Sequence, residues 1–295
     1  MPVIETQSLT KCYGSRVGVS DLSIEVGEGS IYGFLGPNGS GKTTTIRVLM
    51  GLMKGSEGAA RIFGRDCWKA SAVVKAEIGY MPGDVRLYPW LTCRNAAAIF
   101  GGARRRDLRA AFAECAEQLY LDPELPVRKM SRGTRQKLGL VLALAHKPRL
   151  LILDEPTASL DPIIQRILYD HLRAAAGEGR TVFLSSHTLS EVEELCERVA
   201  ILRQGKLVAQ DTIENLRRRA LRSVTIRWGE GFDAAALQEP RGLTVSEKTS
   251  SLWRGTQTGS ADELLAWLTG KPVADLIIEK PDLSEVFHGF YREEP

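Results

Sequence analysis

No run in this chain approaches the roughly 18 to 20 apolar residues that a membrane-crossing helix needs. The nearest candidate, Leu138 to Ala145, is eight residues long and is closed by His146-Lys147-Pro148-Arg149. The opening Met1-Pro2-Val3-Ile4-Glu5 has neither the basic start nor the apolar centre of a secretory signal. Both absences predict a soluble chain that does not insert into a membrane, so any membrane role comes through a partner. Cysteine is sparse as well: residues 12, 67, 93, 115 and 196 are odd in number, scattered, and never form a CxxC pair. That argues against a disulfide framework or a zinc site and for reduced thiols in a cytosolic protein. Internal repeats, low-complexity tracts and heptad insertions are also missing.

What is present is an ordinary globular composition. Of 295 residues, 43% are hydrophobic and 25% charged, enough for one large domain with a smaller one attached. Residues 221–295 carry 8 Lys and Arg against 12 Asp and Glu, a net −4, which leaves +7 on the first 220. A basic first part suits an anionic ligand, but +7 over that length is too diffuse for nucleic acid. Arg104-Arg105-Arg106 and Arg217-Arg218-Arg219 are expected to be solvated helix faces.

The first part alternates strand and helix signals, the pattern of a parallel sheet with helices packed on it. Val3 to Ser8 and Asp21 to Val26 predict strands, with a turn at Gly27-Glu28-Gly29. Ile31 to Leu35 is a short buried strand running into a glycine-rich loop, and Lys42 to Leu52 a helix. From about Asp84 to Ala145 the pattern is helical; Leu108, Ala111, Phe112, Cys115 and Leu119 fall on one face. Leu150 to Leu153 and Thr181 to Leu184 return to strand, and Val199 to Leu202 with Lys206 to Gln210 forms a hairpin. Composition shifts at Leu216 to Arg222. Beyond it, Val224 to Trp228, Ala261 to Leu268, Val273 to Glu279 and a terminal helix from about Asp282 predict a small α+β module. The expected division is therefore 1–216, with a helical subdomain at about 84–145, and 222–295.

Gly36-Pro37-Asn38-Gly39-Ser40-Gly41-Lys42-Thr43 matches the P-loop pattern GxxxxGK[ST] in full. The glycines allow positive φ and bring backbone N–H groups against phosphate oxygens. Lys42 supplies a cation for the β- and γ-phosphates, and Thr43 a hydroxyl for Mg²⁺. Thr44 follows at the start of a helix whose positive end faces the anion. Ordinary residue frequencies produce this pattern by accident on the order of once in 100 such chains, and the strand–loop–helix context makes accident rarer still.

Leu150-Leu151-Ile152-Leu153-Asp154-Glu155-Pro156 is a buried strand ending in two acids. Period-2 alternation sends their side chains in different directions. Asp154 is expected to hold Mg²⁺, partly through water, and Glu155 to orient the attacking water. Phosphoryl transfer needs mostly positioning and charge stabilisation, which these few groups supply. A bland alternative, acids capping the next helix, loses weight beside a P-loop.

Met130-Ser131-Arg132-Gly133-Thr134-Arg135-Gln136-Lys137 precedes that strand, and Ala158-Ser159-Leu160-Asp161 follows it. With the P-loop, the set closely resembles the ABC ATPase family over about residues 1–215. The resemblance implies a P-loop NTPase cassette: an α/β fold with a mixed-sheet core and a helical subdomain. It makes Met130 to Thr134, with Ser131 and Gly133, the signature. Ser159-Leu160-Asp161 becomes the D-loop, and Ser185-Ser186-His187 the H-loop with a catalytic His187. Tyr13 stands where the family stacks an aromatic on adenine. Two departures stand out. Arg132 replaces the first signature glycine. After Ile78-Gly79-Tyr80-Met81-Pro82, where the family has a metal-holding glutamine, this chain has Gly83 and then Asp84, so the place falls to Asp84 or to water.

The resemblance further implies ATP and Mg²⁺ as ligands. It implies a head-to-tail homodimer (or pseudo-symmetric dimer) with nucleotide between one P-loop and the other signature. It also implies a separate transmembrane permease holding the chain on the cytoplasmic face of the membrane. Pro281 to Phe287 resembles the ending of ATPase subunits of type-two ABC exporters. The competing reading is a non-transport ABC ATPase acting on ribosome or DNA. Those members carry paired cassettes, zinc motifs or coiled coils that this chain lacks.

Overall fold

The computed structural model describes residues 2–219, 221–258, 261–279 and 287. It divides into two compact units, Met1–Gln210 and Asp211–Pro295. In the first, β1 (Ile4–Tyr13) and β2 (Arg16–Val26) form a hairpin, and β3 (Ile31–Leu35) runs into the glycine-rich loop before α1 (Lys42–Leu49). Then come β4 (Glu57–Ile62), β5 (Arg65–Asp66), α2 (Ser71–Ala76) and β6 (Ile78–Met81). Three helices follow, α3 (Cys93–Arg104), α4 (Arg109–Gln118) and α5 (Arg132–Leu144). The chain returns through β7 (Leu150–Asp154), α6 (Pro162–Gly177), β8 (Thr181–Ser186), α7 (Leu189–Leu195), β9 (Arg198–Arg203) and β10 (Lys206–Thr212). Among the described residues no helix is long and apolar enough to cross a membrane.

Two sheets share one core. β2-β1-β4-β5 is antiparallel, while β10-β9-β3-β8-β7-β6 is parallel from β9 through β6. Strands β3 and β7 are buried at every position, as is β8, so they read as continuous apolar runs, the signature of strands covered on both faces. Phe34, Ile46, Ile152 and Phe183 of the parallel sheet and α1 pack with Ile4, Leu22 and Ile24 of the antiparallel one.

Register is what builds the site. Leu35 pairs with Ser186, Ser185 with Asp154, and Leu153 with Met81. The loops that follow β3, β8, β7 and β6 therefore leave the same edge of the sheet, the carboxyl end where open α/β sheets bind ligands.

The second unit contains α8 (Ile213–Arg219), β11 (Arg222–Trp228), β12 (Leu243–Lys248), β13 (Leu252–Gln257), α9 (Ala261–Leu268) and β14 (Val273–Ile278). Its sheet runs β12-β13-β11-β14, with antiparallel pairing throughout. Trp228 packs edge-on to Trp253 and Trp267 over Val224, Ile226 and Leu264. The helix expected from Asp282 lies outside the described residues, apart from buried Phe287.

Candidate active site

The loop from Gly36 to Gly41 takes shapes that a side chain would obstruct. Gly39 and Gly41 have φ of +80° and +106°, and a Cβ on Gly36 would lie 2.5 Å from both the Leu202 carbonyl and Ser40 Oγ. Ser40 itself is buried, its hydroxyl packed against Gly36, so its part in the loop is backbone. Lys42, only 4% exposed, donates from Nζ to the Gly36 carbonyl (2.6 Å) and the Pro37 carbonyl (3.2 Å). Burial lowers its pKa, against the opposing pull of Glu155.

The two acids converge on that lysine from β7. Asp154 is buried; its Oδ2 accepts from Thr43 Oγ1 at 2.9 Å and its Oδ1 from Ser185 Oγ at 2.6 Å. Glu155 leaves the strand in the left-handed region, φ +50°, with its N–H donating to Ser185. That turn, not strand alternation, aims its carboxylate. Oε1 lies 3.5 Å from Lys42 Nζ and Oε2 lies 3.2 Å from His187 Nδ1. His187 is half exposed at the end of β8.

A cavity of about 370 Å³ adjoins these groups, lined by Asn38, Gly39, Gly41, Lys42, Thr43, Thr44 and Glu155 together with Tyr13. Tyr13 is partly exposed; its hydroxyl lies 3.4 Å from Thr44 Oγ1 and 3.3 Å from Met53 Sδ. Four lining residues escaped the sequence reading: Arg16, Val17, Gly18 and Arg47. Arg47 was detectable, being one helical turn beyond Thr43. Arg16 pairs with Tyr13 across the β1–β2 turn, which the sequence does not announce. A larger open hollow, about 890 Å³, is bordered by Glu5, Glu25 and Glu28 against the single cation Arg198, a net negative lining that disfavours a phosphate.

Ser131, Gly133 and Asp161 do not line the 370 Å³ cavity. Ser131 caps α5, accepting from the Thr134 N–H at 3.1 Å, and Asp161 caps α6, accepting from the Ile164 N–H at 3.0 Å. Gly133 packs so closely on the Ser159 carbonyl that a Cβ would come within 2.7 Å. Asp84 is not brought to the site. Its carboxylate is solvent-facing and paired with Arg86 at 2.7 Å, because a two-residue spacing in an exposed loop lets that guanidinium reach it.

A P-loop on a parallel sheet, with a buried Asp on its threonine and a Glu between its lysine and a histidine, defines a nucleoside-triphosphatase. Residues 19–158 match the ABC transporter family. The bacitracin transport ATP-binding protein BcrA of Bacillus licheniformis is 39% identical over 240 residues, 80% of this chain and 78% of that one. A Nod factor export ATP-binding protein I of Paraburkholderia xenovorans is 34% identical, covering 70% of each. A solved ATP-binding subunit of an ABC transporter covers 73% of this chain and 92% of its own, with 27% identity and TM-score 0.67. A dimeric ATP-binding cassette bound to ADP and Pi covers 71% and 98%, and at 23% identity and TM-score 0.63 it shares the fold. The chain belongs to the ATP-binding proteins of ABC transporters. It is an ATPase subunit of that family.

Proposed function

We propose that this chain is the motor of an export transporter, working as a head-to-tail pair on the cytoplasmic face beneath a separate permease. The observation that carries the catalytic part is the carboxylate of Glu155, held between Lys42 and His187. In this reading the Gly36–Gly41 backbone and Lys42 grip the β- and γ-phosphates, and Tyr13 carries the base. Glu155 orients the attacking water, and His187 steadies the γ-phosphate side. Thr43 and Asp154 offer hard oxygen donors already 2.9 Å apart, a donor set that fits Mg²⁺. The metal, when bound, neutralises charge on the phosphate oxygens.

Support for pairing comes from a helix end that does not line the chain's own cavity. Ser131 is exposed at the N-terminus of the 13-residue α5, away from the chain's own cavity. A second copy turned head to tail presents that helix end to the phosphates, where its dipole favours anions. Transport is supported by the relative named for bacitracin transport, and export by the one named for Nod factor export.

Glu155→Gln tests the reading. It keeps the shape of the side chain and removes its charge, so ATP still binds while turnover falls at least about 100-fold. Light scattering with MgATP should then find a stable dimer. A monomer, or turnover like the parent's, overturns the assignment.

A further inference from the structure

The signature segment and the catalytic acid are linked inside one chain by a side chain that neither motif reading requires. Gln136 sits one turn into α5 and is buried. Its Nε2 donates to the Glu155 carbonyl at 3.3 Å and to the Pro156 carbonyl at 3.4 Å. The residue it grips is in an unusual conformation: Glu155 has φ +50°, a region that costs a non-glycine residue free energy and persists only where surroundings enforce it. On the N-terminal side of that turn, Ser185 receives the Glu155 N–H at 3.0 Å. On the C-terminal side, the amide of Gln136 supplies the restraint. Three residues before Gln136, Gly133 rests on the Ser159 carbonyl, and Ser159 is also in the left-handed region, φ +66°. Helix α5 thus touches the segment after β7 at two places, both beside strained residues.

We propose that Gln136 is a positioning residue for ATP hydrolysis: its amide fixes the turn that presents Glu155 to Lys42 and His187. Because Gln136 and Ser131 share the first turns of α5, a shift of the helix's exposed end moves the support of Glu155 as well. In a head-to-tail pair, phosphate held at the Ser131 end of α5 in one site then bears on the carboxylate of the other. This rests on the reading of Glu155 as the residue that readies water.

The test is a double-mutant cycle on the full chain, using Gln136→Met, which matches the side chain in length and removes both donors. Nucleotide affinity is measured with a non-hydrolysable ATP analogue and turnover at saturating MgATP. The expected result is analogue affinity within about twofold of the parent and kcat lower by tenfold or more, since tenfold corresponds to about 1.4 kcal/mol of transition-state stabilisation. In the Glu155→Gln background, Gln136→Met should cause no further loss, because the turn it fixes no longer presents a carboxylate. Leu140→Ala, which hollows the same helix one turn on, is the control for destabilisation alone. If Leu140→Ala lowers kcat as much at an equal drop in Tm, or if Gln136→Met costs the same factor in both backgrounds, the proposal fails. Should the methionine variant not fold, Gln136→Asn, with the amide one methylene short, carries the same expectations. Parent-like turnover of Glu155→Gln would instead remove the underlying reading, whatever Gln136 does.

Discussion

Gly83 lies against Asp154: a Cβ built on it would stand 3.4 Å from Asp154 Oδ2. Any side chain at position 83 therefore begins beside the carboxylate that faces Thr43, and in this chain there is none. The neighbouring Asp84 does not make up the difference, since its carboxylate is turned to Arg86. Asp84→Ala should leave the Mg²⁺ dependence of ATP binding unchanged in a calorimetric titration. Gly83→Gln should tighten it by roughly three- to tenfold by adding one oxygen ligand to a cation that takes few from protein. A weakened metal response in Asp84→Ala would return that residue to the site.

Asp154→Asn separates metal binding from phosphate binding. The amide keeps a contact with Thr43 but loses the charge that a divalent cation requires. Affinity for MgATP should fall at least about tenfold, while affinity for ATP in chelator should stay level or rise, one negative charge near the phosphates having gone. Fluorescent-nucleotide binding with and without Mg²⁺ reads both. Equal losses in the two conditions would assign Asp154 to folding alone.

Gly36→Ala tests the shape of the loop. Its new methyl would meet the Leu202 carbonyl and Ser40 Oγ at 2.5 Å, one of them backbone, so the loop must move. The expected cost is about 1–3 kcal/mol of stability, with loss of ATP affinity beyond that of a peripheral change. A chemical denaturation curve beside a binding isotherm checks both.

Much of this was legible in the sequence, for identifiable reasons. Ile31 to Leu35 and Leu150 to Leu153 are unbroken apolar runs because the sheet is covered on both faces, and the P-loop and acid pair sit at their ends. β4 was not visible: Glu57-Gly58-Ala59-Ala60 has little strand preference, and pairing with β1, joined at its far end by β5, holds it extended. β12 and β13 were hidden by their mixed polarity, and Gly255 in β13 is dictated by the Thr244 carbonyl, 2.2 Å from where its Cβ would be. In the site, motif order found Lys42, Asp154, Glu155 and His187. It could not find Gln136, whose importance lies in a contact 19 residues away, nor the positive φ that aims Glu155.

His146 gives the fold a pH response. It is buried beside Arg104, with Nε2 3.3 Å from that guanidinium, and burial first, then the neighbouring charge, pulls its pKa down to about 4. In the unfolded chain it titrates near 6.5. Between those values the unfolded state binds more protons, so stability is full above pH 6.5 and declines as pH falls towards 4, by up to about 3 kcal/mol. Urea midpoints at pH 7.5 and 5 should differ in that direction, and His146→Gln should flatten the difference. An unchanged slope in the variant would assign the acid sensitivity elsewhere.

The indoles are divided in a way that makes the molecule its own optical probe. Of the five tryptophans, Trp68 and Trp90 are half exposed on the first unit, while in the second Trp228 and Trp253 are almost wholly enclosed and Trp267 is partly buried. Water-bathed indole emits at longer wavelength than enclosed indole, so the bluest emission comes from Trp228 and Trp253 of the small unit and the reddest from Trp68 and Trp90 of the ATPase unit. Melting or loosening of one can be followed in the presence of the other, without attaching a dye.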